Sequence, residues 1–205
     1  MKTKKGDFIE IEFKAYTEDG TVFDTNIEEE AKKIGVKEGD FKPFGLCIGQ
    51  EMIVKGMDKA LEDKETSKEY TVEIAPEEAF GKRDARLIRT LPLSAFGEMP
   101  RQGMFVNING LVAKVVSVTG GRVLVDLNNP LAGKKVTYEF KISKIIVDNE
   151  NKIKIIAEEF GLYIKNIDMT KTLVEIELKD KKHEKASKEF VKKVKELLAL
   201  EVKII

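Results

Sequence analysis

A single cysteine, Cys47, leaves no intrachain disulfide to form. A single histidine, His183, leaves no Cys/His cluster of metal-ligand spacing, so no metal site and no cofactor is expected. No run of eighteen apolar residues occurs, and nothing reads as a membrane span. The opening MKTKKGDFIEIEF lacks the apolar centre of a signal peptide and runs directly into a strand pattern, so the expected location is the cytoplasm. Excess charge is missing as well: 36 basic and 36 acidic side chains cancel, and a long-range field that gathers nucleic acid is not expected. P-loop and dinucleotide fingerprints are absent. A Ser–His–Asp triad would depend on His183, which sits in the charged run KDKKHEKASK and reads as a solvated surface residue. Tryptophan is lacking and glutamine is limited to Gln50 and Gln102, beside abundant Lys and Glu, a thermophile tendency.

What is present is a chain of 205 residues with 42% apolar content, enough for one or two domains. FIEIEFKAY (8–16) alternates apolar and charged residues, as a half-buried strand does. EDG makes a turn, and TVFDT resumes extended structure. IEEEAKKIGVKEGD (27–40) predicts a short surface helix ended by glycines. Gln50–Leu61 carries a helical face of Met52, Ile53, Met57, Ala60 and Leu61, and SKEYTVEIA (67–75) alternates again. Cys47, in an apolar run, reads as a small buried hydrophobe. Asp24 lies inside the apolar stretch VFDT, where a buried carboxylate needs a partner.

From about residue 86 the texture changes to few acids and many β-branched residues. LVAKVVSV and RVLVDL flank TGG, which predicts a hairpin in a small β module. VTYEFKISKIIV (136–147) predicts a strand, DNENK (148–152) a linker, and IKIIAEEF and TLVEIEL two more strands. Ala186, Phe190, Val194, Leu197 and Leu198 recur at helical spacing, and EVKII predicts a last strand. This α+β piece of about fifty residues is small for independent stability and should dock on something.

Several stretches match one family at once: 18-EDGTVFDT-25, 43-PF-44, 49-GQEMIVKGMDKAL-61, 76-PEEAFG-81 and 136-VTYEF-140. From Asp7 to about Val147 the chain resembles the FKBP-type peptidyl-prolyl cis–trans isomerases. The β module resembles the insert-in-flap domain of the SlyD-like subfamily, and the domain order resembles that of long archaeal members with an added C-terminal domain. The resemblance implies an α+β fold: an FKBP-like antiparallel sheet wrapped on a short helix, an inserted small β domain and a C-terminal α+β domain. The implied division is 1–85 with 129–150 for the isomerase, 86–128 for the insert and 151–205 for the tail. The His-rich tail common in SlyD-type proteins is lacking, so no nickel site is expected.

Such enzymes need no nucleophile. An X-Pro bond turns slowly because amide resonance must be broken in a twisted transition state. A dry, aromatic-lined pocket that favours the less dipolar twisted form is a catalyst; about 4 kcal/mol of such preference gives roughly a thousandfold. Carried over by resemblance, Met57 takes the place of the pocket-floor tryptophan, and Ile53 and Val54 line a wall, with the Val54 backbone N–H donating to the substrate carbonyl. Phe13, Phe23, Phe44 and Tyr138 supply rings. Asp24 orients pocket side chains or faces the twisted carbonyl, and Phe80 stands where a tyrosine is usual. Phe13 and Phe80 lack the hydroxyls common at those positions, which keeps a non-catalytic peptide-binding holdase or adaptor as the rival reading. In the insert, Leu91, Leu93, Phe96, Met99, Met104 and Phe105 either present an apolar surface to unfolded chain or form the module's own core. The expected partners are unfolded or partly folded proline-containing polypeptides, with a monomer or a dimer through the C-terminal domain.

Overall fold

The computed structural model describes residues 1–39, 41–170, 173–179 and 184–205; His183 lies outside the described residues. In chain order the elements are β1 (Phe8–Thr17), β2 (Val22–Thr25), α1 (Glu28–Lys33), β3 (Phe44–Cys47), α2 (Lys55–Ala60), β4 (Glu69–Ile74), β5 (Ile88–Pro92), β6 (Phe105–Ile108), β7 (Leu111–Thr119), β8 (Arg122–Asp126), β9 (Val136–Ile146), α3 (Asn149–Glu159), β10 (Ile164–Met169), β11 (Leu173–Leu178), α4 (Glu184–Leu198) and β12 (Glu201–Ile204). They form two compact units, residues 1–74 with 136–205, and residues 75–135. Among the described residues no helix is long and apolar enough to cross a membrane.

The first unit is built on an antiparallel sheet of order β2-β1-β9-β4, with β3 also paired to β1. The two-residue period of a strand divides each long strand between two faces. On β1, Ile9, Ile11, Phe13 and Ala15 are buried; on β9, Val136, Tyr138, Phe140 and Ile142 are buried. The register sets Phe13 opposite Phe140 and Ala15 opposite Tyr138, so these residues share the apolar face. The other face carries ion pairs such as Lys14–Glu139 at 2.8 Å and Lys144–Glu10 at 3.2 Å, each worth about 0–1 kcal/mol. Helix α2 packs against β4; its Met57 is completely buried, as is its C-cap residue Leu61. Its apolar side chains require the apolar face; burying each contributes about 1.5–3 kcal/mol.

The helical face expected over Gln50–Leu61 shortens to Lys55–Ala60. Gly49 and Glu51 take left-handed conformations with φ of 84° and 55°. Buried Asp58 accepts hydrogen bonds from their backbone N–H groups, at 2.8 Å and 3.0 Å. That pairing stabilises a loop where the spacing of apolar residues suggested helix.

IKIIAEEF, expected as a strand, belongs to α3. Asp148 caps the helix by accepting from the Asn151 N–H at 2.8 Å, and Ile153, Ile156 and Ala157 are buried at helical spacing. DNENK therefore opens a helix and does not act as a linker. Strand β10 carries no alternation that the sequence reading used. It pairs antiparallel with β11, while β12 returns across α4 to run parallel with β11.

Ile153, Ile156, Val174, Ile176, Phe190 and Val194 continue without a break into Phe8, Cys47 and Ile146 of the first sheet. Residues 151–205, expected as a separate domain, thus share one core with that sheet, because a piece so small cannot enclose enough apolar surface alone. Gly45 permits the contact: a Cβ there would lie 2.5 Å from Ile155 Cγ1.

The second unit is an antiparallel sheet of order β5-β8-β7-β6. The predicted hairpin joins β7 to β8 through Gly120 and Gly121, both at positive φ (58° and 76°), as the tight primed turns require. At its base Arg83 pairs with the carboxylate of buried Asp126. Asn128 accepts from the Asp84 N–H at 2.8 Å and donates to the Asp84 carbonyl at 3.0 Å, fastening the entering and leaving chains to each other.

Candidate active site

Four aromatic rings predicted for the pocket meet in the first unit. Phe13 of β1 lies 5.8 Å from Tyr138 of β9 and edge-on to Phe44 of β3 at 6.5 Å. Phe23 of β2 meets Tyr138 edge-on at 6.2 Å. The two edge-on pairs have a favoured geometry of ring pairs. Phe13 and Tyr138 are buried, Phe23 is half-buried, and Phe44 remains 37% exposed, so the cluster grades from a dry base to a wet rim. Burial pushes the Tyr138 phenol up to about 12, with the Asp24 charge a smaller contribution. It therefore stays protonated and neutral at physiological pH.

Asp24 departs from expectation. Its apolar neighbours in VFDT predict a buried carboxylate, but it is exposed, because β2 is a four-residue edge strand. Nearby protein nevertheless displaces enough water to raise its carboxyl above the ordinary value, against the Thr25 backbone N–H, which lowers it. The buried carboxylate of this region is Asp58, which the sequence reading passed over.

Ile53 and Val54 are half-buried in the segment joining β3 to α2, and Met57 lies fully buried one turn on. Val54 is the N-cap residue of α2, its carbonyl accepting from the Met57 and Asp58 N–H groups at 2.9 Å and 3.0 Å. Asn26 is a second residue that sequence reasoning missed. Its Oδ1 accepts from the Phe13 N–H at 2.8 Å, and its Nδ2 donates to the carbonyls of Ile11 at 2.8 Å and Lys42 at 3.2 Å. One amide thereby ties the chain before Phe44 to the strand that carries Phe13. Its position directly after VFDT was the only available signal.

Across the sheet, on the polar face, a cavity of about 300 Å³ is lined by Glu12, Lys14, Glu139 and Lys141 among others, and holds none of the expected residues. Among the described residues no three His, Cys, Asp or Glu side chains gather as metal ligands. Cys47 is buried, and burial raises its thiol to about 11, which keeps it unreactive.

Comparison with known proteins decides the family. Residues 1–91 match the model for the FKBP-type peptidyl-prolyl cis-trans isomerase, and residues 90–131 match that for the FKBP26 IF domain. The short-type peptidyl-prolyl cis-trans isomerase of Methanocaldococcus jannaschii is 36% identical over 147 residues, 69% of this chain and 93% of that one. The chain belongs to the FKBP-type peptidyl-prolyl cis-trans isomerases. The SlyD isomerases of Vibrio cholerae and Escherichia coli are 23% and 22% identical, each alignment covering 75% of this chain and 73% and 75% of theirs.

In this FKBP-type isomerase, Phe80 lies at the start of the second unit and is half-buried there. The rest of that unit sorts the six expected surface residues into two sets. Leu91, Leu93, Phe96 and Met104 pack against the module's core of Ala113, Val115, Val123 and Val125. Met99 and Phe105 are 67% and 57% exposed. Leu111 and Val112, at the tip of the β6–β7 hairpin, are also exposed and were not foreseen.

Proposed function

We propose that this isomerase turns X-Pro bonds over the ring cluster of Phe13, Phe23, Phe44 and Tyr138, with Ile53, Val54 and Met57 as wall and floor and Asp24 at the rim. The single observation that carries the reading is the contact of four rings on the apolar side of one sheet. The proline ring and the twisted amide enter a place poor in water, where the less dipolar transition state is favoured over the planar ground state. Nothing bonds covalently to the substrate.

The inserted unit grips unfolded or partly folded client chain through Met99, Phe105, Leu111 and Val112, in the cytoplasm. A held client presents its prolines to the pocket at raised effective concentration. The division of labour is isomerase in 1–85 with 129–150, client binding in 86–128.

A protease-coupled isomerisation assay on a proline tetrapeptide, run for the parent and for Asp24→Ala and Tyr138→Ala, tests the pocket. Activity in the parent that falls about tenfold or more in both variants supports it. A parent that suppresses aggregation but turns over no peptide makes the protein a holdase instead.

A further inference from the structure

We infer that Lys193, in the C-terminal helix, is a positioning residue for the isomerase pocket, acting through Gln50 on the segment that carries Ile53 and Val54. The inference rests on the pocket assignment above and extends it to a part of the chain that the isomerase and IF-domain models do not cover.

The segment from Gly49 to Val54 joins β3 to α2 without regular structure of its own, and two kinds of anchor hold it. From the side of α2, the Asp58 carboxylate takes the N–H groups of Gly49 and Glu51. From the side of the C-terminal segment, Lys193 Nζ donates to Gln50 Oε1 at 2.6 Å, in a partly buried contact that spans 143 residues of sequence. The Met52 side chain packs on the same side, against the core built by α3, α4 and β11; its sulfur also accepts from the Cys47 N–H at 3.2 Å. Gln50 and Met52 therefore both face the C-terminal elements, and Glu51 between them is held at positive φ. The next two residues are Ile53 and Val54.

Lys193 has alternatives that it forgoes. Burial raises the carboxyl of Glu159 in α3 above its ordinary value, and the nearby Lys193 charge offsets part of that rise, yet the Lys193 hydrogen bond goes to the neutral Gln50 amide. A charge-assisted bond of this kind is directional and stronger than a neutral one. It sets where Gln50 stands, and with it the path of the backbone into the pocket wall. Small displacements of positioning groups carry large rate penalties, because the bound geometry must match the transition state.

The test uses the full chain. Lys193→Met keeps the aliphatic stem and removes the donor; Gln50→Met removes the acceptor from the other side. Each should lower kcat/KM on the tetrapeptide roughly three- to tenfold, leave the melting temperature within about 2 °C, and move the backbone amide resonances of Ile53 and Val54. Lys193→Arg should restore activity and resonances together. In the double variant the loss should not exceed that of either single one, since both cut the same link. Unchanged kcat and KM in Lys193→Met and Gln50→Met overturn the inference, as do losses that multiply in the double variant. Failure of the pocket assignment looks different: Asp24→Ala and Tyr138→Ala would then also keep full activity.

Discussion

Ala15 of β1 pairs with Asp24 on one side and with Tyr138 on the other. Carboxyl and phenol thus stand in one row of the sheet, two strands apart, and the charge of one reaches the proton of the other. The phenol titrates high for two reasons, burial first and Asp24 second. In a spectrophotometric titration of the tyrosines, Tyr138 should ionise at about 12. Tyr138→Phe should remove that step. Asp24→Asn should lower it while leaving it above the ordinary value of about 10, since burial remains. The sign for stability follows: a raised folded-state value means a contribution that is whole below pH of about 10 and is lost as pH climbs toward the folded-state value. Tyr138→Phe should accordingly flatten the alkaline fall in unfolding free energy.

Gly45 of β3 marks a close approach between the first sheet and α3. Ile155 Cγ1 and Cδ1 would lie 2.5 Å and 2.8 Å from an added methyl group. Gly45→Ala should destabilise by about 1–3 kcal/mol through overpacking, read as a lower urea midpoint. Ile155→Ala should offset part of that loss in the double variant, because it clears the same space.

Asp58→Ala should loosen the loop before α2. The Gly49 N–H loses its acceptor in a partly buried place, at about 1–3 kcal/mol, while the exposed Glu51 can turn to water. Asp58→Asn keeps one oxygen acceptor and should lose less. Chemical denaturation measures both, and isomerase activity should fall alongside in Asp58→Ala.

Replacing the exposed apolar residues of the inserted unit should separate its two proposed tasks. Met99→Ser with Phe105→Ser should leave tetrapeptide turnover within about twofold and stability within about 0.5 kcal/mol, since neither residue belongs to the module's core. Acceleration of a proline-limited protein refolding reaction should drop about tenfold. Equal loss on both substrates would count against client binding by this surface.

The ring cluster was legible in the sequence to the extent that strand alternation places side chains. Phe13 and Tyr138 are buried members of alternating strands, and their neighbours Phe23 and Phe44 followed from the family motif. Asn26 and Asp58 were not legible. Each acts through hydrogen bonds to backbone far along or around the chain, and no periodicity records such partners. In the insert, composition marked Leu91, Leu93, Phe96, Met99, Met104 and Phe105 alike as apolar. Only the folded sheet distinguishes the four that pack inward from the two that face water.

By itself the sequence determined the local elements whose signal is short-range: the long alternating strands, the Gly-Gly hairpin and the amphipathic final helix, and it excluded an intrachain disulfide. It misread IKIIAEEF because I-K-I alternates over three residues, too few to outweigh the Asp148 cap and the helical burial of Ile153, Ile156 and Ala157. The tertiary structure alone decided that the last fifty residues share a core with the isomerase sheet, that Asp24 sits on an exposed edge, and that Lys193 reaches Gln50. Those outcomes depend on contacts between residues more than a hundred positions apart or on which strand ends a sheet. They are settled by the apolar area that distant pieces bury together, which no local window of residues contains.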